Sequence, residues 1–358
     1  MSQPWTCAPR PLPGTGELPG WRLPIRRRRR PDGPLNRQNT WRPSAHGRMS
    51  MTPTRSQPEY RSIFTPSTSR ERQENFEAYW LFSRSHSGEL FEDEKDLSKK
   101  RERLRYFREH PVRSRQPLPE PAAFYRNYLE LTGESTRLDR KTLLLLCIYK
   151  FARNEWVGVS GAWDTARPMA QATKVTHKIS RYHLAEEFCH VRYFEEMFRT
   201  FRLDKIEWVP LDPAGQRMYR IFPHLPGAIM DPPAFVTELM GITFYRHVDR
   251  LLNDVFRDEP QARDRVRALL YEIMVDELAH IGQRRNFLGP LGIRAARWLV
   301  KPVFRSFFSM IGESRQLFDV DQMIRDGLAF DYSGLPPEVL RRSWIPSYCT
   351  VSLSVTTP

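Results

Sequence analysis

The chain has little cysteine, no glycine-rich phosphate loop and no long hydrophobic run, and each absence removes a class of function. Cys7, Cys147, Cys189 and Cys349 stand far apart with no Cys-x-x-Cys pair, so neither a zinc ribbon nor a disulfide framework is indicated. A reducing, cytoplasmic setting is expected. No stretch reaches the ~18 apolar residues of a membrane span. The longest candidate, Leu143 to Tyr149, is far too short, so stable membrane insertion is not expected. No Gly-x-Gly-x-x-Gly, Walker A loop or Gly-x-Ser-x-Gly elbow occurs, which removes dinucleotide, nucleoside-triphosphate and hydrolase readings in their usual forms. No repeat with a solenoid period is visible either.

Positive charge is abundant but unevenly placed. Of a formal net charge of +14 over 358 residues, residues 1–50 supply +8, through ten arginines that include Arg26 to Arg30, against Glu17 and Asp32. A basic arm rather than a basic folded surface carries most of the charge, so nucleic-acid binding is not expected of the domain. Nine prolines fall in the same fifty residues. Residues 1–65 therefore read as a disordered Pro/Arg-rich extension that cannot bury enough surface to offset chain entropy.

The remainder reads as helix. Glu71 to His110 is charged and helix-permissive, with Phe76, Tyr79, Trp80 and Phe82 available to dock on a larger body. A short helix is expected around Ala122 to Leu131, and a longer one over Leu138 to Trp156, closed by Gly158 and Gly161. Three long helices should follow: Met169 to Phe201; Pro232 to Phe256, behind Asp231-Pro232-Pro233; and Gln261 to Phe287, stopped by Gly289-Pro290. Ile293 to Met310 interleaves Arg294, Arg297, Lys301 and Arg305 with apolar residues and reads as an extra packed helix, kinked or broken at Pro302. The expected division is an extension over 1–65, an all-α domain over 66–312 with its core at about 138–290, and a frayed or extended tail over 313–358.

Two copies of Glu-x-x-His stand out, Glu187 to His190 and Glu277 to His280, each preceded by a lone glutamate, Glu155 or Glu238, in an earlier helix. The 25 glutamates and 9 histidines predict about 0.6 chance matches to that motif, so one copy would mean little. The order Glu, Glu-x-x-His, Glu, Glu-x-x-His at helix-length intervals means more. Residues three apart share a helix face, so each motif presents a carboxylate and an imidazole to one point. Four such helices would surround two metal ions, and four carboxylates would neutralise two divalent charges. Without metal, burying these groups would cost several kcal/mol for each uncompensated charge.

Neighbours extend the pattern. Glu186 and Asp276 each precede a motif glutamate and are placed to reach the distal nitrogen of the opposite helix's histidine. His183 lies one turn before Glu187 and could add a third imidazole. Tyr245 and Arg284 lie seven residues after Glu238 and Glu277 and could line a channel, whereas His177 and His247 fall off the ligand faces and read as surface residues.

These residues resemble the ferritin-like di-iron carboxylate superfamily, which includes ferritins, rubrerythrins, acyl desaturases, the tRNA hydroxylase family and arylamine N-oxygenases. The likeness covers about residues 138–290. It implies a ferritin-like four-helix bundle with flanking helices and, as iron ligands, Glu155, Glu187, His190, Glu238, Glu277 and His280. Glu238 and one motif glutamate would bridge the metals. The runs Glu186-Glu187 and Asp276-Glu277 are similar to those of acyl desaturases. Arylamine N-oxygenases add a histidine one turn before the second motif; that place is Ile273 here, and His183 holds the matching place before the first. The resemblance implies two irons, with manganese or a mixed pair as alternatives, and O2 as co-substrate. It also implies a small-molecule or carrier-bound substrate to be hydroxylated, N-oxygenated or desaturated, and an electron donor of ferredoxin or flavin-reductase type; it admits a homodimer. Two other readings stay open: a non-catalytic metal-binding or ferroxidase protein, and a metal-free helical interaction module.

Overall fold

A computed structural model describes residues 59–129 and 138–351. The described residues form an all-α protein whose only strands are a two-residue pair, β1 (Leu90–Phe91) and β2 (Asp96–Leu97). The helices are α1 (Ser69–Ser87), α2 (Ser98–Glu109), α3 (Pro121–Leu129), α4 (Arg140–Trp163), α5 (Val175–Thr200), α6 (Pro213–Ile221) and α7 (Gly227–Val255). They continue with α8 (Pro260–Asn286), α9 (Pro290–Ser309), α10 (Ser314–Leu317), α11 (Val320–Leu328) and α12 (Pro337–Arg342). None is long and apolar enough to cross a membrane.

Local chemistry explains the starts. Thr68 and Glu71 form a reciprocal capping box at α1, Asp139 accepts from the backbone of Lys141 and Thr142 at α4, and Asp212 followed by Pro213 opens α6. The long helices pack as pairs, α4 on α5, α5 on α8 and α7 on α8, with α1 laid over α5 and α8 and α9 against the far side of α7. Leu144, Ala185, Phe194, Leu239, Phe244, Ile273 and Leu278 fill the space between them. That core fixes four helix faces toward one another.

Several boundaries differ from the sequence expectation. Gly158 and Gly161 do not end α4, which runs on to Trp163. They are glycine because α6 crosses there: a Cβ on Gly158 would lie 3.3 Å from the Tyr219 ring, and one on Gly161 3.4 Å from the Tyr219 carbonyl oxygen. α5 begins at Val175 rather than Met169; Met169–Gln171 form a single 3-10 turn whose Met169 backbone N–H donates to the Glu92 carboxylate. α7 begins five residues before Pro232, and the carbonyls of Ala228 and Ile229 that its prolines leave unpaired lie on an exposed turn where water can serve them. α9 runs unbroken through Pro302 for the same reason, the Trp298 turn being exposed.

Two segments expected to be loose are packed. Residues 1–58 and 352–358 lie outside the described residues, but Ile63 and Phe64 are buried, Arg61 donates its N–H to the Cys349 carbonyl, and Tyr60 bridges to Thr350. The stretch 313–351 is not a frayed tail. It contains α10, α11 and α12 and buries Phe330, Tyr332, Val339, Tyr348 and Cys349, because its sparse aromatics cover the outer faces of α7, α8 and α9 rather than forming a periodic stripe of their own.

Candidate metal centre

The space between the long helices should hold apolar side chains, yet its middle holds four carboxylates and three imidazoles. Glu155 on α4, His183, Glu187 and His190 on α5, Glu238 on α7, and Glu277 and His280 on α8 all converge there. His183, Glu187, Glu238 and His280 each offer a donor atom within 4.8 Å of the others, and Glu155, Glu187 and His190 form a second such group. Glu187 belongs to both. Its Oε1 lies 3.0 Å from His280 Nδ1 and 3.4 Å from His183 Nε2, and its Oε2 lies 3.3 Å from His190 Nδ1. Glu277 joins the second group's edge through Oε1, 3.2 Å from His190 Nδ1, while Glu238 meets His183 Nε2 at 3.2 Å. Glu238 stands in the first group with His183, Glu187 and His280.

The histidines are aimed from behind. His280 Nε2 lies 2.8 Å from Glu186 Oε2, and His190 Nε2 lies 3.0 Å from Asp276 Oδ2, each pairing reaching across from α5 to α8 as the sequence pattern suggested. With the outer nitrogens held, both inner Nδ1 atoms face the cluster. The support behind the two sides differs. Asp276 is closed upon by the Lys100 ammonium of α2 and by His86 at 3.2 Å, whereas Glu186 takes hydrogen bonds from the Ser83 and Ser87 hydroxyls of α1. Nothing in the charged run 71–110 marks Lys100 among its many cations, so sequence reasoning missed it, together with Ser83, Ser87 and His86.

Position and packing hold the remaining groups. The Tyr245 hydroxyl donates to Glu155 Oε1, and Arg284 Nε lies 3.4 Å from Glu238 Oε1. The rings of His183 and His280 stack with centroids 3.8 Å apart. Gly241 lets α7 come against α8, for a Cβ there would lie 2.9 Å from Glu277 Oε2. His247 is not a free surface residue: it is half-buried, with Nε2 3.0 Å from Asp326 Oδ2. His177 is exposed.

Electrostatics in the metal-free chain are frustrated. Burial and the neighbouring Glu277 and Glu187 charges push the Glu155 carboxyl well above the usual range, and burial with Glu187 pushes Glu277 up to about 7. Burial also acts to raise Glu187, but the close approach of the His190, His183 and His280 imidazoles outweighs it and holds that carboxyl well below. Burial would lower His190 and His280; Glu187 and Asp276 around the one, Glu186 and Glu187 around the other, raise both well above the ordinary imidazole range. Protons are thus retained on groups that would be ligands.

The donor set fits divalent metal. His190 Nδ1, His280 Nδ1 and Glu155 Oε2 are buried without a hydrogen-bond partner, even though carboxylate oxygens lie 3.0 to 3.3 Å from the two nitrogens. Nitrogen and oxygen atoms that converge at such range without hydrogen-bond alignment are directed at common points between them, as ligands to a shared ion are once their protons leave. A cavity of about 540 Å³ opens on the cluster, lined there by Glu155, His183, Glu187, Glu238 and Glu277. No protein-family model matches the chain, and neither curated proteins nor solved structures yield a match.

Proposed function

We propose that this cluster binds two iron ions and that the protein is an O2-dependent oxidase or oxygenase acting on an organic substrate in the adjoining cavity. The observation that carries the reading is Glu187, whose two oxygens serve two separate donor groups, both of which contribute residues to the wall of an open cavity. The reading extends the resemblance to ferritin-like di-iron proteins: α4 and α7 give single glutamates, and α5 and α8 give the paired Glu-x-x-His motifs.

His183, Glu238 and His280 would hold one ion and Glu155, His190 and Glu277 the other, with Glu187 between them. Four carboxylates then balance two divalent charges, and Asp276 is balanced separately by Lys100. Bound iron would supply the redox chemistry that no side chain here can. The chain's own contribution is positional. Glu186 and Asp276 fix the imidazole orientation, Tyr245 holds Glu155 by its hydroxyl proton, and Phe151, Val159, Leu184 and Phe307 make the cavity apolar enough to exclude water beside the reacting carbon or nitrogen. A soluble one-electron donor would restore the reduced state.

The cavity favours substrate oxidation over simple iron storage, because a store needs an iron path and not an apolar chamber. The test is elemental analysis of protein expressed with iron, followed by O2 uptake under a chemical reductant. About two irons per chain with O2 uptake over many turnovers is expected. Protein that retains no metal after anaerobic reconstitution would overturn the proposal and leave a helical interaction module.

A further inference from the structure

The cavity has a direction. On α5 its wall runs through His177, Ser180, Leu184 and Glu187, and ten residues at 1.5 Å each make the distance from exposed His177 to Glu187 about 15 Å. On the opposite wall Glu155 lies at the cluster end and Arg167, just beyond the end of α4, at the outer end. Between these ends the lining includes Val159, Ala162, Tyr219, Phe222 and Met230, with Thr165 and Thr237 among its polar members. Among the described residues, the only carboxylates lining the cavity are the four of the cluster itself. Two cations line it: Arg284, drawn to Glu238, and Arg167, which is exposed and has no hydrogen-bond or ion-pair partner among the described residues.

We propose that the cavity takes an elongated free organic acid, its anionic head on Arg167 at the mouth and its apolar body along Tyr219, Phe222 and Met230 toward the cluster. The charge belongs at the mouth for two reasons. There it keeps part of its hydration, whereas an anion pushed to the inner end would be stripped of water beside carboxylates. Arg284 sits at the inner end with its Nε 3.4 Å from Glu238 Oε1, which leaves Arg167 as the guanidinium at the mouth. Such a ligand would present its far, uncharged end to the donor cluster. The inference rests on the proposed oxidation centre for the fate of the acid, but not for its binding.

Equilibrium dialysis with decanoate and with decan-1-ol, on metal-loaded protein of measured metal content, tests this directly. Decanoate should bind once per chain and about tenfold or more tighter than the alcohol, the size of one charge-assisted hydrogen bond. Arg167→Glu, at an exposed position, should abolish the preference and leave alcohol binding unchanged. Ala162→Trp, which fills the chamber, should block both ligands without loss of metal. Equal affinity for acid and alcohol, a preference that survives Arg167→Glu, or binding indifferent to Ala162→Trp would each overturn the proposal. Full metal content with no acid preference removes this inference alone; acid binding by a chain that never holds metal removes the oxidation centre alone.

Discussion

Glu186 of α5 reaches across to His280 of α8, Oε2 to Nε2 at 2.8 Å, and so decides which nitrogen that imidazole turns inward. Asp276 does the same for His190 in the opposite direction. The two helices thus hold each other's histidines, and loss of either acid should disturb a donor on the helix that does not carry the mutation.

Glu187 and His183 separate the two donor groups. Glu187→Ala removes a donor from both, and metal content measured after dialysis should fall from two ions per chain to near none. His183→Ala touches only the first group, so one ion should remain. Equal losses from the two variants would contradict the sharing of Glu187.

Lys100 has no exposed side-chain surface and closes on Asp276. Replacing it with Met leaves the buried Asp276 carboxylate to His190 and His86 alone, and the loss should fall at or below the ~3–5 kcal/mol typical of breaking a buried pair. Lys100→Met should lower the denaturant midpoint of the metal-free protein accordingly, and adding Asp276→Asn should recover much of the loss.

Gly241 is a test of proximity. Alanine is the better helix former by about 1 kcal/mol, so Gly241→Ala should leave helix content by circular dichroism unchanged or slightly higher. Its methyl would nevertheless crowd Glu277 Oε2 from 2.9 Å, and the ion held by His190 and Glu277 should bind more weakly. A metal titration unaltered by the substitution would argue against Glu277 as a ligand.

The pH behaviour follows from retained protons. Glu277, with its folded value raised to about 7, binds a proton in the native state that the unfolded chain releases near pH 4.5. Stability from this group is full at low pH and declines as pH rises from about 4.5 through 7. Glu155, His190 and His280 are also raised and act in the same direction. Metal-free protein should therefore melt at a higher temperature at pH 5.5 than at pH 7.5. Metal, which replaces those protons, should reverse the order.

The helices that carry the donor cluster were legible because their donors recur at helical spacing, and spacing alone put Glu186 and Asp276 behind the opposite histidines. The outer layer was not. Ser83, Ser87 and Lys100 act through tertiary approach, and a serine or lysine on a charged helix looks the same whether it faces water or a buried acid. Gly158 and Gly161 misled for a related reason: a glycine that admits a crossing helix has the same letter as one that ends a helix. The packed stretch 313–351 lacked periodicity because each of its short helices buries only one to three residues.

Lys100 and Asp276 are 176 positions apart in the chain, and the Ser83 and Ser87 hydroxyls wait for an acid about 100 residues downstream. A polypeptide emerging from the ribosome therefore exposes α1, α2 and the whole of α5 before α8 exists to receive them. Such a non-local assembly makes folding slow relative to a bundle built from neighbouring hairpins. It also makes completion of the donor cluster a late event. A partly synthesised chain holds half a site, and only the nearly finished protein closes it.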